Sequence, residues 1–161
     1  MTGGGSSISE VQSLLRVLAT GRLCAEAGTA FGQGTRAMAE TAHHVVSVEI
    51  DPERARAAAK ELKDLVNVEL LQGDWRDELP PRGPFGLIFL DAGGFKESPE
   101  EVGTLAVSML ETGGLLVADD VTPGLEAHDA ARAVLSRHSL LRSTEVLTTP
   151  ETSALIAARL L

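Results

Sequence analysis

A chain of 161 residues with 43% apolar content can bury an independent core, which excludes a disordered or fibrous protein. Its formal net charge of −9 argues against nucleic acid and against an anionic membrane surface, because both need clustered Lys and Arg. No apolar run approaches the ~20 residues of a membrane span, the opening MTGGGSSISE lacks signal-peptide character, and the one cysteine, Cys24, has no partner for an internal disulfide. The expectation is a cytoplasmic chain folded as one domain over 1–161, with residues 1–7 flexible.

In chain order, Ser7 or Ser9 can cap an amphipathic helix with Ile8, Val11, Leu14, Leu15 and Leu18 on one face, ended by Gly21. RLCAEA reads as a short strand, with Cys24 as core packing. Thr35 to Thr41 reads as a helix, and HVVSVEI as a buried β-branched strand. Asp51-Pro52 opens a helix through about Asp64, since Asp caps well and Pro suits the first turn. VNVELLQ and FGLIFLD are strands, Pro99 to Leu110 is a helix, and GGLLVADD is a strand opened by glycines. Glu126 to Arg137 is helical, and LRSTEVLTT and SALIAARL close the chain as strands.

Strands alternate with helices, and the early strands are apolar throughout. This predicts an α/β fold: a doubly wound, mostly parallel seven-stranded sheet with helices on both faces. The last two strands are joined by TPETS, too short for a crossover, so they should pair antiparallel. Ligands of such sheets sit beyond the carboxyl ends of the strands, at the switch point. Those ends carry Glu26, Glu49, Asp74, Asp91, Asp119 and Asp120, six carboxylates expected along one rim.

The loop AEAGTAFGQGT follows the first strand. Counted from Gly28, the dinucleotide spacing G-x-G-x-x-G fails at Ala30 and Gln33, and no Gly-Lys-Ser/Thr follows. What stands there is Glu26-x-Gly28-x-x-x-Gly32. An acid beside the loop repels a pyrophosphate and attracts an ammonium. Glu49, 21 residues after Gly28, is placed to accept the two hydroxyls of an adenosine ribose. An adenosine joined to a cationic amino acid satisfies both acids, and S-adenosylmethionine is such a molecule.

CAEAGTAFGQGTRAMAE, VVSVEIDPERARAA, VELLQGDWRDELP, FGLIFLDA and GGLLVADDV resemble successive motifs of the class I S-adenosylmethionine-dependent methyltransferases. Glu-x-Gly-Thr-x-x-Gly, Phe-x-x-Ile-Phe-x-Asp-Ala and Gly-Gly-x-x-x-x-Asp-Asp are similar to the O-methyltransferases of the catechol and caffeoyl-coenzyme A type. The resemblance implies a Rossmann-like methyltransferase fold. It implies that Gly28 and Gly32 let the backbone pass the methionine part, that Glu26 attracts its ammonium directly or through water, and that Glu49 holds the ribose. Asp74 with the backbone of Trp75 would read the adenine edge, and Thr29, Ile50 and Asp91 would also contact the cofactor. Asp91, Asp119 and Asp120 would bind a divalent ion such as Mg²⁺, with Asp120 where the family usually has Asn. Asp91 and Lys96 would be catalytic, although Lys96 stands five residues after Asp91 where the family's lysine stands three after the acid. The other readings are that Asp119-Asp120 caps the loop before Pro123, that Lys96 is a solvated loop lysine and that Glu49 is a surface acid.

The resemblance implies an acceptor pocket built by longer amino-terminal helices and an insertion between the last strands; with roughly twenty residues before the first strand and a tight final hairpin here, the acceptor site is expected to be open or completed by a second subunit. Phe31, Trp75 and Phe95 are the aromatic residues expected near the rim. The expected function is O-methylation of a small molecule, with a homodimer supplying missing pocket walls. The rivals are a cofactor-binding module without its own acceptor site and an NAD-dependent oxidoreductase.

Overall fold

The computed structural model describes residues 7–93, 95, 97–119, 121 and 126–161; of residues 126–129 it describes only the backbone. The helices are α1 (Ser9–Leu18), α2 (Gln33–Ala39), α3 (Pro52–Glu61), α4 (Trp75–Glu78), α5 (Pro99–Met109) and α6 (Glu126–Arg137). The strands are β1 (Leu23–Ala27), β2 (His44–Glu49), β3 (Val68–Gln72), β4 (Phe85–Leu90), β5 (Leu110–Ala118), β6 (Leu141–Leu147) and β7 (Ser153–Arg159). They form one seven-stranded sheet in the order β3-β2-β1-β4-β5-β7-β6. The pairs β1–β2, β2–β3, β1–β4 and β4–β5 are parallel. Strand β7 runs antiparallel to both β5 and β6. The fold is the expected doubly wound sheet with an antiparallel carboxy-terminal hairpin.

Alternate residues of each parallel strand enter different cores. Ala25, Ala27, Val46, Val48, Ile88 and Leu90 pack with Val102 and Ala106 of α5 and Leu135 of α6. Cys24, Val45, Leu87, Phe89 and Val117 pack on the other face with Val11 and Leu15 of α1 and Met38 of α2. Burial on both faces is why FGLIFL is apolar without alternation. Among the described residues no helix is long and apolar enough to cross a membrane.

Local differences from the sequence reading have physical causes. Ile8 occupies the N-cap of α1 with no side-chain cap, so neither Ser7 nor Ser9 is the cap. Helix α2 starts two residues before Thr35, because left-handed Gly32 turns the chain into it. Asp51 caps α3 as expected, accepting from the Glu53 and Arg54 N–H groups at 2.8 and 3.0 Å. The one-turn α4 is too short to leave a periodic signature.

Strand β7 ties the hairpin to the parallel sheet, and Leu155 is a fully buried part of that tie, in register with Ala118. Leu155→Ala should cost about 2–5 kcal/mol. Urea unfolding checks this, and a loss below 1 kcal/mol, the order of a surface change, would contradict it.

Candidate functional site

The sheet order reverses between β1 and β4, and the loop from Gly28 to Gly32 lies at that switch point. Gly28 takes φ +94°, and its N–H donates to the Val48 carbonyl at 2.9 Å. A Cβ built on Gly28 would stand 2.8 Å from the Asp91 carbonyl oxygen. Only glycine satisfies both the left-handed backbone and the close approach. Ala30 follows at φ +50°, and the Gly32 N–H donates to the Thr29 carbonyl at 2.9 Å, closing the turn.

Glu49 ends β2 and is 4% exposed. Its Oε2 accepts the Ala30 N–H at 2.8 Å and its Oε1 accepts the Asp51 N–H at 3.0 Å. The carboxylate is therefore fixed against the glycine loop before any ligand arrives. Each oxygen keeps one further acceptor position after these bonds. This arrangement suits a diol and removes the reading of Glu49 as an ordinary surface acid. Ile50, the next residue, is 66% exposed, an apolar side chain held open at the strand end.

Glu26 is placed differently from the other expected carboxylates. Rather than standing on the rim, it is 1% exposed beneath α2. It pairs in register with Ser47 of β2 and Phe89 of β4. Its Oε2 accepts from the Thr35 hydroxyl and from Ser47 Oγ, the latter at 2.6 Å. Burial pushes its pKa from 4.5 up to about 7, with the Ser47 and Thr35 bonds pulling the other way and Glu49 adding to the rise. A Cβ on Gly34 would lie 2.4 Å from Glu26 Oε1, so α2 can seat over the carboxylate only with glycine there.

Asp74 caps α4, accepting the Arg76 N–H at 2.9 Å, and pairs with the Arg76 guanidinium at 2.6 Å. That pairing holds its pKa below the usual carboxylate range. Trp75 is buried in the core against the sheet, which leaves its backbone rather than its ring for ligand recognition. Thr29 is buried, with its hydroxyl 2.6 Å from Ser47 Oγ. Of the aromatic residues expected near the rim, Phe31 is 45% exposed and Phe95 is buried in the core.

Asp91 and Asp119 follow the paired ends Leu90 and Ala118 of adjacent parallel strands. The Asp91 N–H donates to the Ala27 carbonyl at 3.0 Å, and the Asp119 N–H to the Leu90 carbonyl at 3.3 Å. Both acids are partly exposed. Among the described residues no group of three or more His, Cys, Asp or Glu is gathered closely enough to hold a metal. Asp120 and Lys96 lie outside the described residues.

Sequence reasoning missed Thr35, Ser47 and Gly34 around Glu26, the Ala30 N–H on Glu49 and the Arg76 partner of Asp74. Ser47 had a signal: it is the lone hydroxyl in the apolar strand HVVSVE.

A methyltransferase-domain family matches residues 25–121, which spans the glycine loop, Glu49, Asp74, Asp91 and Asp119. The chain belongs to this methyltransferase family. A protein-L-isoaspartate O-methyltransferase of Cronobacter sakazakii is 33% identical over 122 residues, covering 71% of this chain and 56% of that protein. With a second such relative covered to 47%, the chain spans about half the length of the curated relatives it matches. Among solved structures, cofactor-bound Rv0187 from MTB aligns with TM-score 0.82 and 25% identity, over 96% of this chain and 81% of that one. The O-methyltransferase TomG of Streptomyces achromogenes, solved with S-adenosylmethionine, aligns with TM-score 0.81 and 23% identity, over 100% and 84%. The fold is the Rossmann-like fold of methyltransferases.

Two predictions follow from this geometry. Gly28→Ala should abolish ligand binding at the switch point while the chain still folds, because the methyl group pushes the loop off the Asp91 carbonyl; unchanged ligand affinity by calorimetry would contradict it. The second concerns pH. A native Glu26 pKa raised from 4.5 to about 7 means that the folded chain holds this proton more tightly than the unfolded chain. That stabilisation is complete below 4.5 and is lost as pH rises through about 7. The stability of the native chain relative to Glu26→Gln should fall by up to roughly 3 kcal/mol across that window. A difference that stays constant with pH in urea titrations would contradict it.

Proposed function

We propose that this chain is the catalytic core of an S-adenosylmethionine-dependent methyltransferase that transfers the methyl group to an oxygen of a small molecule. One observation carries the reading. The Glu49 carboxylate, free to accept two more hydrogen bonds, is clamped by backbone N–H groups against a glycine loop that touches the end of β4. Such a site accepts a ribose diol and leaves a bare backbone for the amino-acid part. Glycine at position 28 keeps that backbone bare, since a Cβ there would meet the Asp91 carbonyl and push the loop off the end of β4. Ile50 offers an apolar surface for the base, and the backbone at Asp74–Trp75 can read its edge. When bound, the cofactor supplies the activated methyl group, so the chain's own work is binding and alignment.

The isoaspartate relative and TomG are both named O-methyltransferases, which supports oxygen as the acceptor atom. The net charge of −9 supports a small acceptor over a nucleic acid. Asp91 and Asp119 would hold a divalent cation at neighbouring strand ends, with Asp120, next in sequence, as a further candidate ligand. Two carboxylates completed by water suit Mg²⁺, which would orient an acceptor hydroxyl and lower its pKa. Lys96, in the loop after β4, is the candidate base in this reading, and a second copy of the chain would supply walls for the acceptor.

The test is methyl transfer from labelled S-adenosylmethionine to a panel that includes phenols and an isoaspartyl peptide. Glu49→Ala should raise the cofactor KM at least about tenfold, the cost of one charge-assisted contact. An unchanged KM would contradict the ribose assignment. EDTA should lower transfer and Mg²⁺ restore it, with the restoration lost in Asp119→Ala. Transfer indifferent to EDTA would remove the metal from the account.

A further inference from the structure

Three hydroxyls and one carboxylate form a directed network beneath the glycine loop. Ser47 has one hydroxyl proton, and it goes to Glu26 Oε2 at 2.6 Å. The 2.6 Å contact between Thr29 and Ser47 is therefore donated by Thr29. Thr35, in the first turn of α2, donates to the same Glu26 oxygen. Donation thus runs inward, from the loop through Ser47 to Glu26, with α2 joining at the carboxylate. All four side chains are buried, so water is a poor substitute for any of these bonds.

Thr29 is the residue on which the loop turns. Its N–H reaches the Val48 carbonyl at 3.3 Å and its carbonyl accepts from the Gly32 N–H. On the far side of the carboxylate, the space a Gly34 Cβ would take lies only 2.4 Å from Oε1. The first turn of α2 is seated beside that oxygen, and the whole residue is 1% exposed.

We propose that Glu26 is a positioning residue, whose carboxylate holds Thr35 directly and Thr29 through Ser47 and so fixes the loop and the start of α2 in the shape that receives the cofactor. This deepens the cofactor reading above and rests on it. Glu26 thus acts through the loop it holds, whereas the family resemblance implies that it attracts the ammonium directly or through water.

Glu26→Gln and Ser47→Ala in the full chain separate positioning from direct binding. An amide oxygen accepts the same two hydroxyl protons as Oε2 and carries no charge. Glu26→Gln should therefore bind S-adenosylhomocysteine within about threefold of the native chain. Ser47→Ala cuts Thr29 off and should weaken binding about tenfold although Ser47 lies below the loop. Amide hydrogen exchange gives a readout that needs no ligand: exchange at Ala30 and Gly32 should quicken in Ser47→Ala and stay native in Glu26→Gln. The inference is overturned if a folded Glu26→Gln loses as much affinity as Glu49→Ala, since the charge itself would then be what binds. It is overturned equally if Ser47→Ala leaves the exchange at Ala30 and Gly32 unchanged. A native chain that does not bind S-adenosylhomocysteine, yet shows the expected exchange pattern, would refute the cofactor reading and leave the loop anchoring standing.

Discussion

Gly28 and Asp91 bring two backbones so close that only a hydrogen atom fits between them. The rest of the site depends on that contact. It joins the end of β1 to the end of β4 at the one place where the parallel sheet changes direction. With the loop pinned there, the Ala30 N–H points at Glu49 and Gly32 turns the chain into α2. The sheet supplies the rigid ends, and the loop supplies a concave backbone without side chains at its closest point. Rigid elements that carry a pre-shaped loop are the general solution for holding a ligand with little entropy cost.

The carboxylates of this site divide into two levels. Glu49, Asp91 and Asp119 end their strands or follow them directly, next to where a ligand would lie. Glu26 lies below, enclosed by β2, β4 and α2, and its bonds are to hydroxyls of the scaffold. A buried acid is costly unless its oxygens are hydrogen-bonded, and here the bonds that offset that cost also anchor the loop. The raised pKa of Glu26 reflects the same burial. Arg76 bears on the proposed base contact: its guanidinium occupies the Asp74 carboxylate, so under that proposal neighbouring backbone would read the base.

Much of this was legible in the residues. The apolar runs VVSVE and FGLIFL marked buried parallel strands, and the short TPETS link marked the hairpin. The order of the last two strands was not legible, since a hairpin docks equally well on paper by either strand; β7 wins a place beside β5 with the fully buried Ala154, Leu155 and Ala157, while β6 keeps its exposed residues at the edge. The glycine loop and Glu49 were legible because their spacing is local to one β-α-β unit. The depth of Glu26 was not, because a one-residue difference along β1 decides which face an acid enters, and sequence shows the acid without showing α2 above it. Thr35 and Ser47 belong to separate elements and meet only in the folded sheet. The expectations for Asp120 and Lys96 concern residues outside those described.

The central claim is that the switch-point loop receives an adenosine carrying an amino acid rather than a dinucleotide. Calorimetric titration of the full chain with S-adenosylhomocysteine, beside a matched titration with NAD, tests it most directly. The account predicts saturable binding of S-adenosylhomocysteine in the micromolar range, on the order of −8 kcal/mol, with no saturable heat from NAD. Saturable binding of NAD with none of S-adenosylhomocysteine would contradict it.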